Sequence, residues 1–286
     1  MGPNKGRNIK MPSRKHPSYQ GPVRAVIFDW AGTTVDYGSR APVNAFVELF
    51  RRHGVTVTAE QARGPMGSHK KDHVRLILTM EPVAQQWKQK SGRDASAEDI
   101  ETLYQEFIPL QTEVINRHTD VIPGVAEAVK ILRQQGIVFG ATTGYIRGMM
   151  TQLLAEAAAA GFSPEAAVCA DEAPAGRPAP WMAITAAMQL GVYPLQACVK
   201  VGDTLVDIAE GLNAGMWTVG ITKTGNEIGL SEAEVNALPA PELASRLRAA
   251  SKRLLQAGAH FVIPEVANLP AIITEINERL ARGERP

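Results

Sequence analysis

The chain has 286 residues, 45% of them apolar and 21% charged, with 30 Lys+Arg against 29 Asp+Glu and a formal net charge of +1. That composition supports a sizeable core and excludes wholesale disorder; a charge this near zero argues against a protein that coats nucleic acid or an anionic membrane. Cys169 and Cys198 stand alone on apolar segments, so no disulfide framework or cysteine zinc site is expected, and a reducing, cytoplasmic location is.

Residues 1–21 are basic and rich in Pro and Gly, without the apolar stretch of a secretory signal, and are expected to form a poorly ordered tail. No apolar run approaches the roughly 20 residues that span a bilayer. Val23–Asp29 is β-branched and apolar, a buried strand running into the Gly/Thr turn of DWAGTTVD. From about 40 to 118 the pattern turns helical. Pro42 opens a helix that Gly54 closes, and further helices are expected over His69–Met80, Val83–Lys90 and Ala97–His118.

After Pro123-Gly124 strands and helices alternate. Helices are expected over Val125–Gln135, Met149–Ala160, Pro180–Leu190, Ile208–Ala214, Ser231–Gln256 (broken around Pro239–Pro241) and Leu269–Arg282. Strands are expected over Ile137–Thr142, Ala167–Ala170, Cys198–Gly202, Trp217–Ile221 and His260–Ile263. Alternation of this kind implies an α/β fold with a doubly wound parallel-sheet (Rossmannoid) core. The helical stretch after the first strand reads as an inserted α-helical cap. The expected division is core at 22–39 and 119–286, cap at 40–118.

In an open parallel sheet, ligands bind beyond the carboxyl ends of the strands. Three polar turns stand at such ends: Asp29-Trp30-Ala31-Gly32-Thr33-Thr34, Thr142-Thr143-Gly144-Tyr145, and Gly202-Asp203-Thr204-Leu205-Val206-Asp207. Asp29 and Asp203 are therefore expected to converge. Two adjacent carboxylates repel unless a cation lies between them. Hard oxygen donors with no His/Cys cluster point to Mg²⁺. Gly32, Thr33 and Thr143 offer amide or hydroxyl donors to a phosphoryl group. Trp30 either lines the substrate site or packs.

DWAGTTVD, ATTGY and VGDTLVD resemble the signature motifs of the haloacid dehalogenase superfamily, over nearly all of residues 23–280. The resemblance makes Asp29 a covalent nucleophile toward phosphorus and Thr143 a phosphate contact. It makes Arg177, in PAGRPAP, the cation that offsets charge on both. Asp203 becomes a metal ligand and Asp207 its acidic partner.

The sequence departs from that family's phosphatases at Ala31, where they carry a second Asp that protonates the leaving oxygen and later activates water. Alanine has only its backbone carbonyl to offer a metal. One reading is a protein that binds phosphate or metal without turnover, another a phosphomonoesterase or phosphomutase with altered machinery. A third is a reaction whose leaving group needs no acid. A carbanion leaves from phosphorus if an adjacent protonated imine takes up its electrons, which requires an aldehyde substrate and a reactive lysine.

The cap supplies a candidate segment, MGSHKKDHVR at 66–75. If it is helical, Met66, Lys70 and His73 share a face. Lys71 would raise the local positive charge and favour a neutral amine on Lys70, with burial adding to the effect; His73 could carry protons near neutral pH. Together, DWAGTTVD, MGxxKxDHVR, TTGY and PAGRPxPW resemble the phosphonatase family. That resemblance implies a Schiff base at Lys70 rather than Lys71. Met66, Gly144 and Tyr145 are candidates to line the substrate site, with packing the other reading for Met66 and a structural role for Tyr145. The resemblance also implies cleavage of phosphonoacetaldehyde to acetaldehyde and phosphate, Mg²⁺ held by Asp29, the Ala31 carbonyl and Asp203, and a homodimer built through the caps. No nucleic-acid or membrane partner is expected.

Overall fold

The computed structural model describes residues 19–115 and 117–286; the expected tail lies outside the described residues up to position 18. The first strand, β1 (Ala25–Asp29), is buried along its whole length. The chain then leaves the sheet for five helices: α1 (Arg40–Arg52), α2 (Ala59–Arg63), α3 (Lys70–Leu78), α4 (Glu81–Ser91) and α5 (Ala97–Ile115). It returns through α6 (Val125–Gln134), β2 (Val138–Thr143), α7 (Arg147–Ala159), β3 (Ala166–Cys169), α8 (Trp181–Gln189) and β4 (Cys198–Gly202). The remainder is α9 (Leu205–Asn213), β5 (Trp217–Ile221), α10 (Glu232–Ala237), α11 (Ala240–Gln256), β6 (Phe261–Ile263) and α12 (Leu269–Ala281).

All strand pairs are parallel, in the order β3-β2-β1-β4-β5-β6. Successive strands step outward from β1 to one side, then from β4 to the other, so the order reverses between these two central strands. That is where a doubly wound sheet opens a crevice. Strand residues alternate between two cores. Val26 and Phe28 of β1 join Phe139, Phe162 and the α12 residues Ile273 and Ile276, whereas Ala25 and Ile27 face Met182, Ala183 and Ala186 of α8.

The helical insertion has a core of its own. On α1, Phe46, Leu49 and Phe50 recur at helical spacing and meet Leu103, Phe107 and Leu110, spaced likewise on α5. Phe46 stacks on Phe107 with centroids 4.2 Å apart. Burying a side chain of this size contributes about 1.5–3 kcal/mol. No helix among the described residues is long and apolar enough to cross a membrane.

Three local differences from the sequence reading have physical causes. Helix α2 has no hydrophobic period to reveal it, being only five residues, yet Thr58 and Gln61 close a reciprocal capping box around its start. Helix α9 begins three residues earlier than expected because Thr204 and Asp207 form such a box in the turn DTLVD. Helix α3 starts only at Lys70, after Gly67 at φ +87°, with the His69 ring accepting from the Lys71 N–H. Met66 therefore precedes the helix and does not share its face. The break between α10 and α11 falls where Pro239 and Pro241 put it.

Candidate active site

Asp29 ends β1 and Asp203 follows β4, so the two carboxylates meet across the crevice. Strand alternation turns Asp29 away from the Phe28 face. Trp30, the next residue, turns back to that face: it is 1% exposed and packs 5.7 Å from Phe162. Trp30 therefore belongs to the core: of its two readings, packing holds and lining the substrate site is corrected.

A buried ionic cluster lies beneath Asp29. Arg177 Nη1 is 2.6 Å from Asp29 Oδ1 and 3.1 Å from Asp207 Oδ1, and its Nε is 2.9 Å from Glu210 Oε2. The remaining nitrogen, Nη2, donates to Thr142 O at 2.9 Å and Thr142 Oγ1 at 2.6 Å. Lys200, wholly buried, lies 3.1 Å from both Asp207 Oδ1 and Glu210 Oε2. Burial alone would raise the Asp207 pKa, but Arg177 and Lys200 outweigh it and hold that carboxyl below its ordinary range. Arg177, with three carboxylates around it, is held well above the usual arginine value despite burial.

Asp203 is different. Its oxygens accept from Thr33 Oγ1 (3.0 Å) and from the Asn226 N–H (2.7 Å), both neutral donors. Burial first, then repulsion from Asp29 and Asp207, pushes its pKa well up. Burial and Asp207 also raise Asp29, against the pull of Arg177 and Lys200. Oxygens of Asp29, Asp203 and Asp207 all lie within 4.8 Å of one another. A buried carboxylate with no cation of its own, beside a second whose charge is only partly offset, fits a small hard cation. Asp207, already paired with two protein cations, suits a supporting place better than a ligand's.

Of the donors expected at the phosphoryl group, the Thr33 hydroxyl is taken by Asp203 and the Gly32 N–H by Val35 O at 2.7 Å. Thr33 is fully buried with its hydroxyl on that carboxylate. Gly32 holds φ +85°, and a Cβ there would run into the Asp203 carboxylate.

Above Asp29 opens a small cleft, lined from the core by Asp29, Ala31, Thr143, Gly144, Tyr145, Arg177 and Thr204, and from the linker and cap by Ser39, Pro42, Met66, Gly67 and Lys70. Lys70 is 6% exposed; its Nζ lies 5.7 Å from the ring centroids of both Phe46 and Tyr145. Burial lowers its pKa to about 8, with Arg177 acting in the same direction and Asp29 against it. Lys71, expected to cause that shift, instead turns outward and pairs with Glu101 at 2.5 Å. A first-turn lysine flanked by an exposed neighbour looks alike in sequence whichever of the two faces inward; packing decides. His73 is fully buried, stacked on Phe46 at 3.8 Å, with Nε2 against the Ala62 carbonyl at 2.8 Å. Burial, then the charge of Lys70, depresses its pKa well below 6.5. It is thus neutral at physiological pH, with Nε2 carrying the proton toward Ala62 and Nδ1 an acceptor without a hydrogen-bond partner.

Lys200, Glu210 and Ser39 were not foreseen, and Thr142 and Thr204 were named only as members of the polar turns. A lysine inside the otherwise apolar strand CVKVG was a usable signal, as was Glu210 three residues after Asp207 on one helix face.

The haloacid dehalogenase-like hydrolase family model matches residues 23–215. A protein named phosphonoacetaldehyde hydrolase from Syntrophobacter fumaroxidans is 46% identical over 95% of this chain and 98% of its own. A phosphonoacetaldehyde hydrolase-like protein from the same organism is 50% identical over 96% and 99%. Among solved structures, a phosphonoacetaldehyde hydrolase-like protein from Oleispira antarctica superposes with a TM-score of 0.94 at 45% identity, covering 96% of this chain and all of that one.

Proposed function

The chain belongs to the haloacid dehalogenase-like hydrolases, and within that family we propose that it hydrolyses the carbon–phosphorus bond of phosphonoacetaldehyde, releasing acetaldehyde and phosphate. One observation carries this reading: a buried amine of lowered pKa, Lys70, shares a cleft with Asp29, while position 31, where an acid for an oxygen leaving group belongs, holds an alanine.

The cleft suits a molecule of a few heavy atoms. Neutral Lys70 adds to the aldehyde carbon and expels water to form an imine. His73, expected to carry protons near neutral pH, is instead buried behind Phe46, outside the cleft lining and with its proton affinity depressed, so its proposed part is to pack the Lys70 helix against Phe46, and water takes the proton released on imine formation. Arg177 and Thr143 orient the phosphonate and offset its charge. Mg²⁺ held by Asp29, the Ala31 carbonyl and Asp203 would supply further charge neutralisation at the phosphonate. Asp29 attacks phosphorus; the P–C electron pair moves into the protonated imine, leaving an enamine on Lys70 and a phosphoryl group on Asp29. Water hydrolyses the acyl phosphate, and protonation and hydrolysis of the enamine return Lys70 and acetaldehyde. A closed cap keeps bulk water from the carbanion-like transition state.

Met66, Gly144 and Tyr145 form the walls in this reading, and Lys200 and Glu210 hold Arg177 in place. The boundary between core and cap is proposed at 39/40 and 118/119, although Ala41 and Ile115, just inside the cap's ends, already pack with the core cluster. A homodimer through the caps, implied by the family resemblance, is checked by light scattering of the full chain. The buried free thiols Cys169 and Cys198 accord with a cytoplasmic setting.

The test is an acetaldehyde-coupled assay on phosphonoacetaldehyde, with and without Mg²⁺, beside a simple phosphate ester. Metal-dependent acetaldehyde release is expected. Turnover of the ester with none of the phosphonate would overturn the reading in favour of an ordinary phosphatase.

A further inference from the structure

Arg63, the last residue of α2, takes no part in the chemistry above, yet its half-buried side chain joins the cap to two separate pieces of the core. Nη1 donates to Gly38 O at 2.8 Å and Nη2 to Gly229 O at 2.7 Å, with longer contacts from Nη1 to Ser39 O (3.4 Å) and Asn226 Oδ1 (3.3 Å). All four partners are oxygens of neutral groups. Gly38 and Ser39 belong to the linker between β1 and α1; residues 226 and 229 belong to the loop after β5. Linker and loop are already joined, Gly38 N–H donating to Thr224 O at 2.7 Å.

Asn226 faces both ways. Its Nδ2 donates back to Arg63 O at 3.4 Å, and its backbone N–H donates to Asp203 Oδ2 at 2.7 Å. Seven residues after Arg63 the same cap segment delivers Lys70 to the cleft, where the side chain is buried partly by core groups such as Tyr145 and Gly144. We propose that Arg63 is the bolt that holds the cap closed over the cleft, and that Asn226 couples this bolt to the loop bracing Asp203, which makes Arg63 a positioning residue. A cradle of carbonyls loses less on opening than a buried ion pair, which suits a contact that must break to admit each substrate. The proposal rests on the carbon–phosphorus reading for its purpose, but closure itself needs no substrate.

The experiment compares the full chain with Arg63→Ala and Arg63→Lys in the presence of Mg²⁺. The substrate-independent readout is the rate of Lys70 acetylation by acetic anhydride at pH 8, normalised by peptide mass spectrometry to the exposed Lys130. Arg63→Ala is expected to speed Lys70 labelling about tenfold or more, the scale on which losing charge-assisted hydrogen bonds moves a two-state equilibrium. Its kcat on phosphonoacetaldehyde should fall by a similar factor. Arg63→Lys keeps the charge but cannot span Gly38 and Gly229 together, so it should lie between the two. It also serves as the test if the alanine variant does not fold. Unchanged Lys70 labelling in a folded variant overturns the bolt whatever the assay shows. Faster labelling in a protein whose parent turns over no phosphonoacetaldehyde upholds the bolt and overturns the substrate reading.

Discussion

Lys70 and Lys200 are two lysines put to opposite uses by their surroundings. Lys200 is locked between Asp207 and Glu210 as a charged strut. Replacing it with Met leaves two buried carboxylates short of a cation and should cost about 3–5 kcal/mol in urea unfolding. Among the described residues Lys70 has no carboxylate in contact, and it sits between two rings, so burial weakens its hold on the proton. A Lys70→Arg variant keeps the charge but cannot form an imine, and turnover should fall by at least ~10³-fold. Since only the neutral amine attacks, borohydride trapping with the aldehyde should rise with pH through a midpoint near 8. A midpoint near the ordinary lysine value, or a label on Lys71, would refute the assignment.

At the scale of elements, the site depends on close approach between secondary structures. Gly211 lies inside α9, where a Gly→Ala change ordinarily favours helix. Here a Cβ would sit 2.5 Å from Thr218 Cγ2 and 2.8 Å from Lys200 Cβ. Gly211→Ala should therefore destabilise by about 1–3 kcal/mol through overpacking and should disturb Lys200, read as a lower urea midpoint. In the cap, Phe46 touches both the α5 core and the environment of Lys70. Phe46→Ala should cost about 3–5 kcal/mol and move the pH midpoint of Lys70 trapping upward, because the amine regains water.

For the whole molecule, the excess of buried carboxylate at the centre of the sheet links stability to metal and pH. Asp29 and Asp203 have folded-state pKa values above their unfolded ones. The stability they contribute is therefore present in acid and lost as pH rises from the ordinary carboxylate range through those raised values. A bound cation favours the ionised pair and reverses the loss. Adding Mg²⁺ at about 100 times its Kd should raise stability by about 2.7 kcal/mol at neutral pH, seen as a higher Tm, and the gain should shrink as pH falls through the raised carboxylate values and protons compete. A Tm indifferent to Mg²⁺ at every pH would show that the acidic trio holds no such ion.

Chain-local physics made the alternation of strands and helices, the break at Pro239–Pro241 and the three acidic turns legible in one dimension, because hydrophobic period and turn chemistry act over a few residues. The strand ends announced Asp29 and Asp203 for the same reason. Which way a side chain turns is a property of packing between segments far apart in sequence. That is why Trp30 went to the core, the Thr33 hydroxyl to Asp203, and Lys71 to Glu101. It is also why Lys200, Glu210 and Arg63 came to light only once the sheet had brought residues 29, 142, 177, 203 and 226 together. A carboxylate's or an amine's pKa follows from that enclosure, and enclosure exists only in three dimensions.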